Sequence, residues 1–228
     1  MLAYYINLIL FFISIFILIY FTYKPKKNLR FIFKAIASLL FISTGIISYI
    51  IFPKDYYYFI FILTGLFFSL LGDIFLALKI NDNNGHFNKY FLYGIISFSL
   101  THTMYIFAFC HLGFFNILDL LITLILSILI ITVLKCNKSI NFKNMLAPAS
   151  IYSFIICLMT LQSIKLVFLL KFNLGTYMLL TCTLLFILSD LILSFILFNT
   201  NHKKYLTAIN LFTYYTGQFL IASTVLFF

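Results

Sequence analysis

Acidic residues are nearly absent from this chain. Its 228 residues include no glutamate and only five aspartates, and charged residues of both signs make up 9% of the composition. Tryptophan is missing as well, and 64% of the residues are hydrophobic. A soluble domain is about half apolar and about a quarter charged. The scarcity of charge therefore excludes an ordinary soluble domain and indicates an integral membrane protein.

Cysteine pairs and the common catalytic motifs are also missing. The four cysteines have no paired spacing, which favours buried small apolar side chains over disulfide or metal-binding roles. The chain contains no H-E-x-x-H, Gly-rich phosphate loop or G-x-S-x-G, so zinc, nucleotide and serine-nucleophile chemistries lack support. We expect neither a metal ion nor an organic cofactor.

Long apolar runs fill most of the chain. A membrane-spanning helix needs about 20 mainly apolar residues, and polar clusters divide the sequence into eight segments of this kind. The sequence therefore predicts an all-α, polytopic membrane protein, a single domain over residues 1–228 with eight transmembrane helices. The first segment lacks a basic leader and a cleavage site, so we expect a retained helix. The predicted helices are 3–22, 31–52, 56–78, 90–111, 114–134, 145–170, 174–198 and 205–227.

Basic residues are distributed unequally among the predicted loops. The even-numbered loops contain two, Lys54 and Lys171. The odd-numbered loops contain eleven: Lys24, Lys26, Lys27, Arg30, Lys79, Lys89, Lys135, Lys138, Lys143, Lys203 and Lys204. Because cytoplasmic loops carry the excess of Lys and Arg, both termini are predicted outside a bacterial plasma membrane. The net charge of +10 then reflects attraction to anionic lipid headgroups rather than to nucleic acid.

Two aspartates interrupt the most apolar segments. Asp73 lies in FFSLLGDIFLAL and Asp190 in LLFILSDLILSF, and a charged side chain at the centre of a membrane helix costs about 2.5–3.5 kcal/mol on insertion scales. The predicted orientation places both in the cytoplasmic half of the membrane. Each could simply fix helix packing, but Asn or Ser would do so without the cost of ionisation. We favour a coupled carboxyl pair or a cation site; a coupled pair could supply an acid and a base.

Other polar residues are predicted at the same depth. His102 and Tyr105 are three residues apart and share a helix face, although His102 could also be a satisfied core histidine. Lys34 could extend to the headgroups, balance an aspartate or receive a phosphate. Because isolated polar side chains facing lipid are costly, we expect the residues of this layer to face the bundle interior: Lys34, His102 with Tyr105, Tyr152, Tyr214, Tyr215 and Gln218.

A short pattern recurs around the two aspartates. Gly72-Asp73-x-x-Leu76 and Ser189-Asp190-x-x-Leu193 lie four predicted helices apart and in helices of the same direction. Small residues next to each aspartate permit close helix approach. The recurrence indicates a repeat of four helices plus four.

With these residues in place, the chain resembles the YhhN-like family of membrane proteins, which includes the lysoplasmalogenases. The resemblance covers nearly the whole chain and rests mainly on SLLGDIFLAL (69–78), GIISFSLTHTMYIFAF (94–109) and LLFILSDLILSF (184–195). Weaker matches are Lys34, Tyr152 with Met159, and YYTGQFLIAS (214–223). One departure is Ala35, where the family usually has Pro after the lysine. The resemblance also implies an eight-helix architecture.

The resemblance implies a reaction. Characterised members hydrolyse the vinyl ether bond of lysoplasmalogens to a fatty aldehyde and a glycerophospho-head-group. It implies that Asp73 and Asp190 are catalytic, and that the site is lined by Lys34, His102, Tyr152, Tyr215 and Gln218, with Tyr214 as the alternative to Tyr215. The implied partners are a lysophospholipid substrate and the surrounding membrane lipids.

Three other function classes use similar features. An intramembrane aspartyl protease has a Gly-x-Gly-Asp signature, but Leu70 replaces its first Gly, and Ser189 replaces the Tyr of its partner motif. A proton- or cation-coupled transporter is expected to have broken helices at its site, yet predicted helices three and seven contain no Pro. A non-catalytic lipid-binding protein is the third alternative.

Overall fold

The protein is helical throughout the part of the chain that the structure describes. The structure is a computed structural model, and it describes residues 1–24, 26–78, 89–137, 140–199 and 203–228. Its α-helices are α1 (Leu2–Thr22), α2 (Lys27–Ile51), α3 (Tyr56–Ala77), α4 (Lys89–Leu112), α5 (Ile117–Cys136), α6 (Leu146–Leu169), α7 (Leu174–Phe198) and α8 (Lys204–Thr224), with a 3₁₀ turn at Lys143–Met145. The predicted all-α class is confirmed. Two of the lysines used for the orientation, Lys79 and Lys138, lie outside the described residues.

The eight α-helices correspond to the eight predicted segments, with shifted ends. α2 begins at Lys27, four residues before the predicted position 31. The prediction followed the apolar segment, which does not include the charged residues Lys27 and Arg30, but both lie in the first turn of the helix. α5 begins at Ile117 rather than 114. The Asn116 side chain accepts a hydrogen bond from the helix start, and the Asp119 carboxylate accepts one from the Asn116 N–H, which forms a capping box.

Seven of the eight described α-helices are long and apolar enough to cross a membrane, and they identify an integral, multi-pass membrane protein. The exception is α8, which has 21 residues, as α1 has, but a more polar sequence. α8 can carry polar residues because it packs against α1, α2, α3 and α7. Polar side chains that would face lipid on a peripheral helix are buried here, among them Asn210, Thr213, Gln218 and Ser223.

Six helices form a closed ring. Neighbours in the ring are α2, α3, α4, α6, α7 and α8, and α8 packs back against α2. α1 lies outside the ring against α2 and α8, whereas α5 lies outside it against α6. α5 exposes large apolar side chains such as Ile125 and Val133, as expected for a surface in contact with lipid. The ring places α3 and α7, which carry the two intramembrane aspartates, on opposite sides of the bundle interior.

The second four helices repeat the packing of the first four. The contacts of α1 with α2, α2 with α3, and α3 with α4 correspond to those of α5 with α6, α6 with α7, and α7 with α8. The two halves join through α4 with α6 and through α8 with α2, which are again equivalent. Smaller contacts of α8 with α1 and α3 have no counterpart of similar extent. This arrangement agrees with the recurring sequence pattern and makes the repeat a parallel one.

The loops gather at two ends of the bundle. At one end α2, α4, α6 and α8 begin while α3, α5 and α7 end, and side chains from these ends, such as Phe91 and Leu134, line a common cavity. We call this the basic end, because its described loops and helix ends carry Lys24, Lys26, Lys27, Arg30, Lys89, Lys135, Lys203 and Lys204. The opposite end is held by contacts such as the 2.6 Å hydrogen bond between the hydroxyls of Tyr58 and Thr224.

Candidate active site

A cavity of about 550 Å³ lies inside the ring at the basic end, within the size range of small-ligand sites. Asp73 on α3 and Asp190 on α7 both line it. The ring explains this convergence, because α3 and α7 face each other across the interior. His102, Tyr152 and Tyr214 add further polar side chains to the wall.

Asp73 is the centre of a dense set of hydrogen-bond donors. It is 2% exposed, and Lys34 Nζ lies 3.2 Å from its Oδ1. Its Oδ2 accepts from the hydroxyls of Ser38 at 2.6 Å, Tyr214 at 3.1 Å and Tyr215 at 3.3 Å. One cation and three hydroxyl donors therefore surround Asp73, and a carboxylate can accept hydrogen bonds from all of them.

A buried layer behind Asp73 holds these donors in place. Tyr105 donates to Gln218 Oε1 at 2.7 Å, and the Gln218 amide donates to Ser69 Oγ at 2.7 Å. Ser69 Oγ lies 2.5 Å from the Tyr214 hydroxyl. Because Tyr214 donates its own proton to Asp73, Ser69 must donate to Tyr214. The layer thus orients the Tyr214 hydroxyl without reaching the cavity itself.

Asp190 has a different set of partners. The Tyr152 hydroxyl donates to its Oδ2 at 2.6 Å, and His102 Nε2 lies 2.9 Å from the same hydroxyl. With the tyrosine proton on the side of Asp190, His102 must donate from Nε2. If Asp190 carries a proton instead, both hydrogen bonds can reverse, with Asp190 donating to Tyr152 and Tyr152 to His102. The three side chains can therefore pass a proton along one line.

The two carboxyl groups have unlike surroundings. Asp73 has an ion pair with Lys34, whereas among the described residues the salt bridges include no cation at Asp190. Aliphatic side chains of α7, including Ile187 and Leu191, line the cavity beside Asp190. Asp190 is also less buried than Asp73, and it lines the cavity. One carboxyl is held among a cation and hydroxyls, while the other lies in a mainly apolar wall.

The small residue before each aspartate allows a close contact with a neighbouring helix. A Cβ at Gly72 would lie 2.8 Å from the ring of Phe98, so glycine permits α4 to approach α3 closely. The ring of Phe98 lines the cavity and packs edge-on against Tyr214 at 5.8 Å. On the other side, the Asn210 amide donates to the carbonyl of Ser189 at 2.7 Å and to its hydroxyl at 2.9 Å. Both contacts hold the aspartates toward the cavity.

Five of the residues predicted for the site line the cavity, and three lie behind its wall. The five are Asp73, Asp190, Lys34, His102 and Tyr152; the three are Tyr105, Tyr215 and Gln218. Tyr214, the alternative to Tyr215, faces the cavity, but both tyrosines donate to Asp73. The ring centroids of His102 and Tyr105 are 6.0 Å apart. The Tyr105 hydroxyl, however, donates to Gln218 behind the cavity wall.

Sequence reasoning missed Ser38, Ser69 and Arg30. Ser38 lies four residues after Lys34 and Arg30 four residues before it, so both share the helix face of Lys34. Helical spacing was therefore a sufficient signal for these two. Ser69 lies four residues before Asp73, but its partners Tyr214 and Gln218 lie on α8, and no local pattern indicates that contact.

Comparison with known protein families agrees with the resemblance in the sequence. The model of the YhhN family matches residues 29–225, a span that includes both aspartates and all their hydrogen-bond partners. No curated protein and no solved structure matches the chain. Because the match covers far more than half of the sequence, the chain belongs to the YhhN family.

Proposed function

We propose that this member of the YhhN family is a membrane hydrolase that cleaves the vinyl ether bond of lysoplasmalogens. The products are a fatty aldehyde and a glycerophospho-head-group. One observation carries the proposal: two carboxyl groups with unlike surroundings face the same cavity. Resemblance to the lysoplasmalogenases supplies the substrate class, and the geometry supplies the two groups that the reaction needs.

Hydrolysis of a vinyl ether requires an acid and then a base. Proton transfer to the β-carbon is the difficult step, and it leaves an oxocarbenium ion at the α-carbon. Water then adds to the α-carbon and loses a proton, which gives a hemiacetal. The hemiacetal collapses to aldehyde and alcohol when the base gives its proton to the leaving glycerol oxygen and the hemiacetal hydroxyl gives its proton to the acid, which returns both groups to their starting states. A pair of carboxyl groups performs comparable tasks in glycosidases, whose transition state also resembles an oxocarbenium ion.

We assign the acid to Asp190 and the carboxylate to Asp73. Asp190 lies in the apolar wall without a cation, so it is suited to carry a proton and donate it. Tyr152 and His102 continue from it as a hydrogen-bonded line that orients the carboxyl group and can exchange a proton with it. Lys34 and the surrounding hydroxyls provide a cation and hydrogen-bond donors for a carboxylate at Asp73. It can stabilise the oxocarbenium ion and accept the proton of the attacking water.

We further propose that all eight helices cross the membrane, with both termini outside and the cavity in the cytoplasmic half. The observation in favour of α8 is its burial against four other helices along its 21 residues, which explains its low hydropathy. The described loop lysines cluster at the basic end, which favours a cytoplasmic position for that end. A lysolipid could then enter from the inner leaflet with its headgroup at the cytoplasmic surface.

Two features favour hydrolysis over ion-coupled transport. α3 and α7 are continuous helices at Asp73 and Asp190, whereas transporters commonly interrupt the helices of their ion sites. Beyond His102, the described interior is filled with buried side chains such as Tyr105, Leu66 and Met159. A cavity that ends inside the bundle suits a lipid chain better than a pathway across it.

Incubation of the purified protein with a choline or ethanolamine lysoplasmalogen tests the proposal. We expect release of fatty aldehyde, measured by mass spectrometry or a coupled aldehyde assay, from the wild-type chain in micelles or nanodiscs. The matched control is the saturated ether analogue, which binds the same way but has no double bond to protonate. Absence of release in every lipid and pH condition would contradict the hydrolase and favour the lipid-binding or transport alternatives.

Tyr152→Phe is expected to lower kcat about 10- to 100-fold with little change in KM. The substitution removes the hydroxyl that joins Asp190 to His102, so the proton line is broken while the cavity keeps its shape. General acid–base groups contribute about 10²–10⁴ in rate, and we assign the smaller part to this positioning residue. Tyr4→Phe is the control, because the Tyr4 hydroxyl bonds Ser223 at 2.8 Å, outside the cavity wall. An unchanged kcat in Tyr152→Phe would rule out the proton line.

A further inference from the structure

Arg30 is a cation of the cavity wall without a carboxylate partner in the described chain. It lies on α2, four residues before Lys34 and about 6 Å nearer the basic end, and its side chain lines the cavity. The salt bridges of the described residues join other pairs: Lys34 with Asp73, His111 with Asp55, and Lys165 with Asp119. Among the described residues, no carboxylate therefore competes with an anionic ligand for Arg30.

Lys34 is already engaged. Its Nζ lies 3.2 Å from Asp73 Oδ1 and donates to the Asp73 carbonyl oxygen at 3.1 Å. A phosphate that captured Lys34 would leave Asp73 buried without its cation, which is unfavourable. The sequence-based alternative in which Lys34 balances an aspartate matches this geometry, which makes another cation the better candidate to bind a phosphate.

Two cations lie at the mouth of the cavity in the described part of the chain. Lys27 lies three residues before Arg30, on the same helix face, and also lines the cavity. The acidic side chains among the described lining residues are Asp73 and Asp190, and Asp73 is paired with Lys34. Both aspartates lie deeper than Arg30, because Arg30 is in the first turn of α2. An anion at the mouth would therefore meet cations first.

We propose that Arg30, with Lys27 beside it, binds the phosphate of a lysophospholipid headgroup and thereby orients the vinyl ether toward the aspartates. A guanidinium group suits this task because its fork of N–H donors binds two phosphate oxygens at once. In a lysoplasmalogen only the three-carbon glycerol separates the phosphate from the vinyl ether, a separation comparable to one helical turn. The site rests on the proposed function for its substrate, but its anion recognition can be measured without any reaction.

The test is binding of three non-cleavable probes to the full chain in detergent, by isothermal titration calorimetry. The probes are a saturated ether lysophosphatidylcholine, the corresponding alkylglycerol without phosphate, and chain-free glycerophosphocholine. We expect Arg30→Gln to weaken lysophosphatidylcholine binding about tenfold or more, the loss expected for charge-assisted hydrogen bonds, and to leave alkylglycerol binding unchanged. Arg30→Lys, which keeps the charge but loses the fork, is expected to give an intermediate loss.

Lys26→Gln is the matched control, because Lys26 is an exposed cation next to Lys27 that does not line the cavity or cap α2 through its side chain. Stronger binding of glycerophosphocholine than of lysophosphatidylcholine would identify the site as one for a free headgroup and overturn the lipid assignment. Equal loss for lysophosphatidylcholine and alkylglycerol, or no loss for either in Arg30→Gln, would overturn phosphate recognition. These outcomes are independent of hydrolysis, which is measured separately in the wild-type chain.

Discussion

Asp190→Asn is expected to lower aldehyde release from a lysoplasmalogen by at least about 10³-fold, within the range for a general acid. Asparagine has nearly the same shape and can still accept the hydrogen bond from Tyr152, but it cannot transfer a proton to the β-carbon. The neutral amide also fits the mainly apolar wall around position 190. We therefore expect correct insertion, an unchanged elution volume in gel filtration, and unchanged binding of the saturated ether analogue.

Asp73→Asn is expected to abolish hydrolysis as well, for a different reason. The substitution removes the negative charge that stabilises the oxocarbenium ion and leaves Lys34 without its counterion. A free ammonium group beside the reaction centre would oppose a positively charged intermediate. In contrast to Asp190→Asn, we expect this variant to be less stable to heat, because it uncouples the contact of α2 with α3.

Asp55→Asn provides the control for both variants. Asp55 is an aspartate at the opposite end of the bundle, where it caps α3 through Tyr58 and pairs with His111 at 2.8 Å. This variant is expected to retain full activity. Activity above about a tenth of wild type in Asp190→Asn, together with an inactive Asp73→Asn, would contradict the assignment of Asp190 as the acid. Full activity in both would contradict the two-carboxyl mechanism.

Burial of each segment decides how far the sequence could predict the fold. The apolar runs predicted all eight helices. α8 is nevertheless not apolar enough to be recognised as a membrane span from its composition, because its polar residues face the interior. Hydropathy measures what a helix exposes to lipid, so a helix surrounded by other helices escapes it. The closure of the ring, with α4 against α6 and α8 against α2, depends on contacts between segments distant in sequence. No local pattern specifies those contacts.

The candidate site was likewise only partly predictable from the sequence. Asp73 and Asp190 were predictable, because a carboxyl group is conspicuous in an apolar helix. The roles of Tyr214 and Tyr215 were not, since consecutive residues point about 100° apart on a helix and either could face the cavity. Both contact Asp73, one from the cavity and one from behind. The unlike surroundings of the two carboxyls likewise depend on Lys34, whose partner only the fold determines.

Lys165→Met is expected to destabilise the folded bundle by about 3 kcal/mol, because it leaves the buried carboxylate of Asp119 without its cation. Lys165 Nζ lies 2.6 Å from Asp119 Oδ2 and also donates to the Phe114 carbonyl at 2.9 Å. The side chain of Asp119 is 7% exposed and that of Lys165 is 22% exposed, which puts the loss at the lower end for buried pairs. Denaturant unfolding in micelles measures it, and hydrogen exchange should show α5 opening first, because its packing within the described chain is against α6.

A double substitution separates the buried charge from the packing around it. Asp119→Asn in the Lys165→Met background is expected to recover most of the lost stability, because a neutral amide oxygen can still accept hydrogen bonds from Gln162 and from the Asn116 N–H. Lys54→Met is the control for loss of a lysine, since Lys54 is exposed and donates to the Phe227 carbonyl at 2.9 Å; it should cost about 0–1 kcal/mol. If the double variant is as unstable as Lys165→Met alone, then packing rather than an unpaired carboxylate accounts for the loss. Because this cluster lies at the opposite end from the cavity, the folded fraction of each variant should hydrolyse substrate at the wild-type rate.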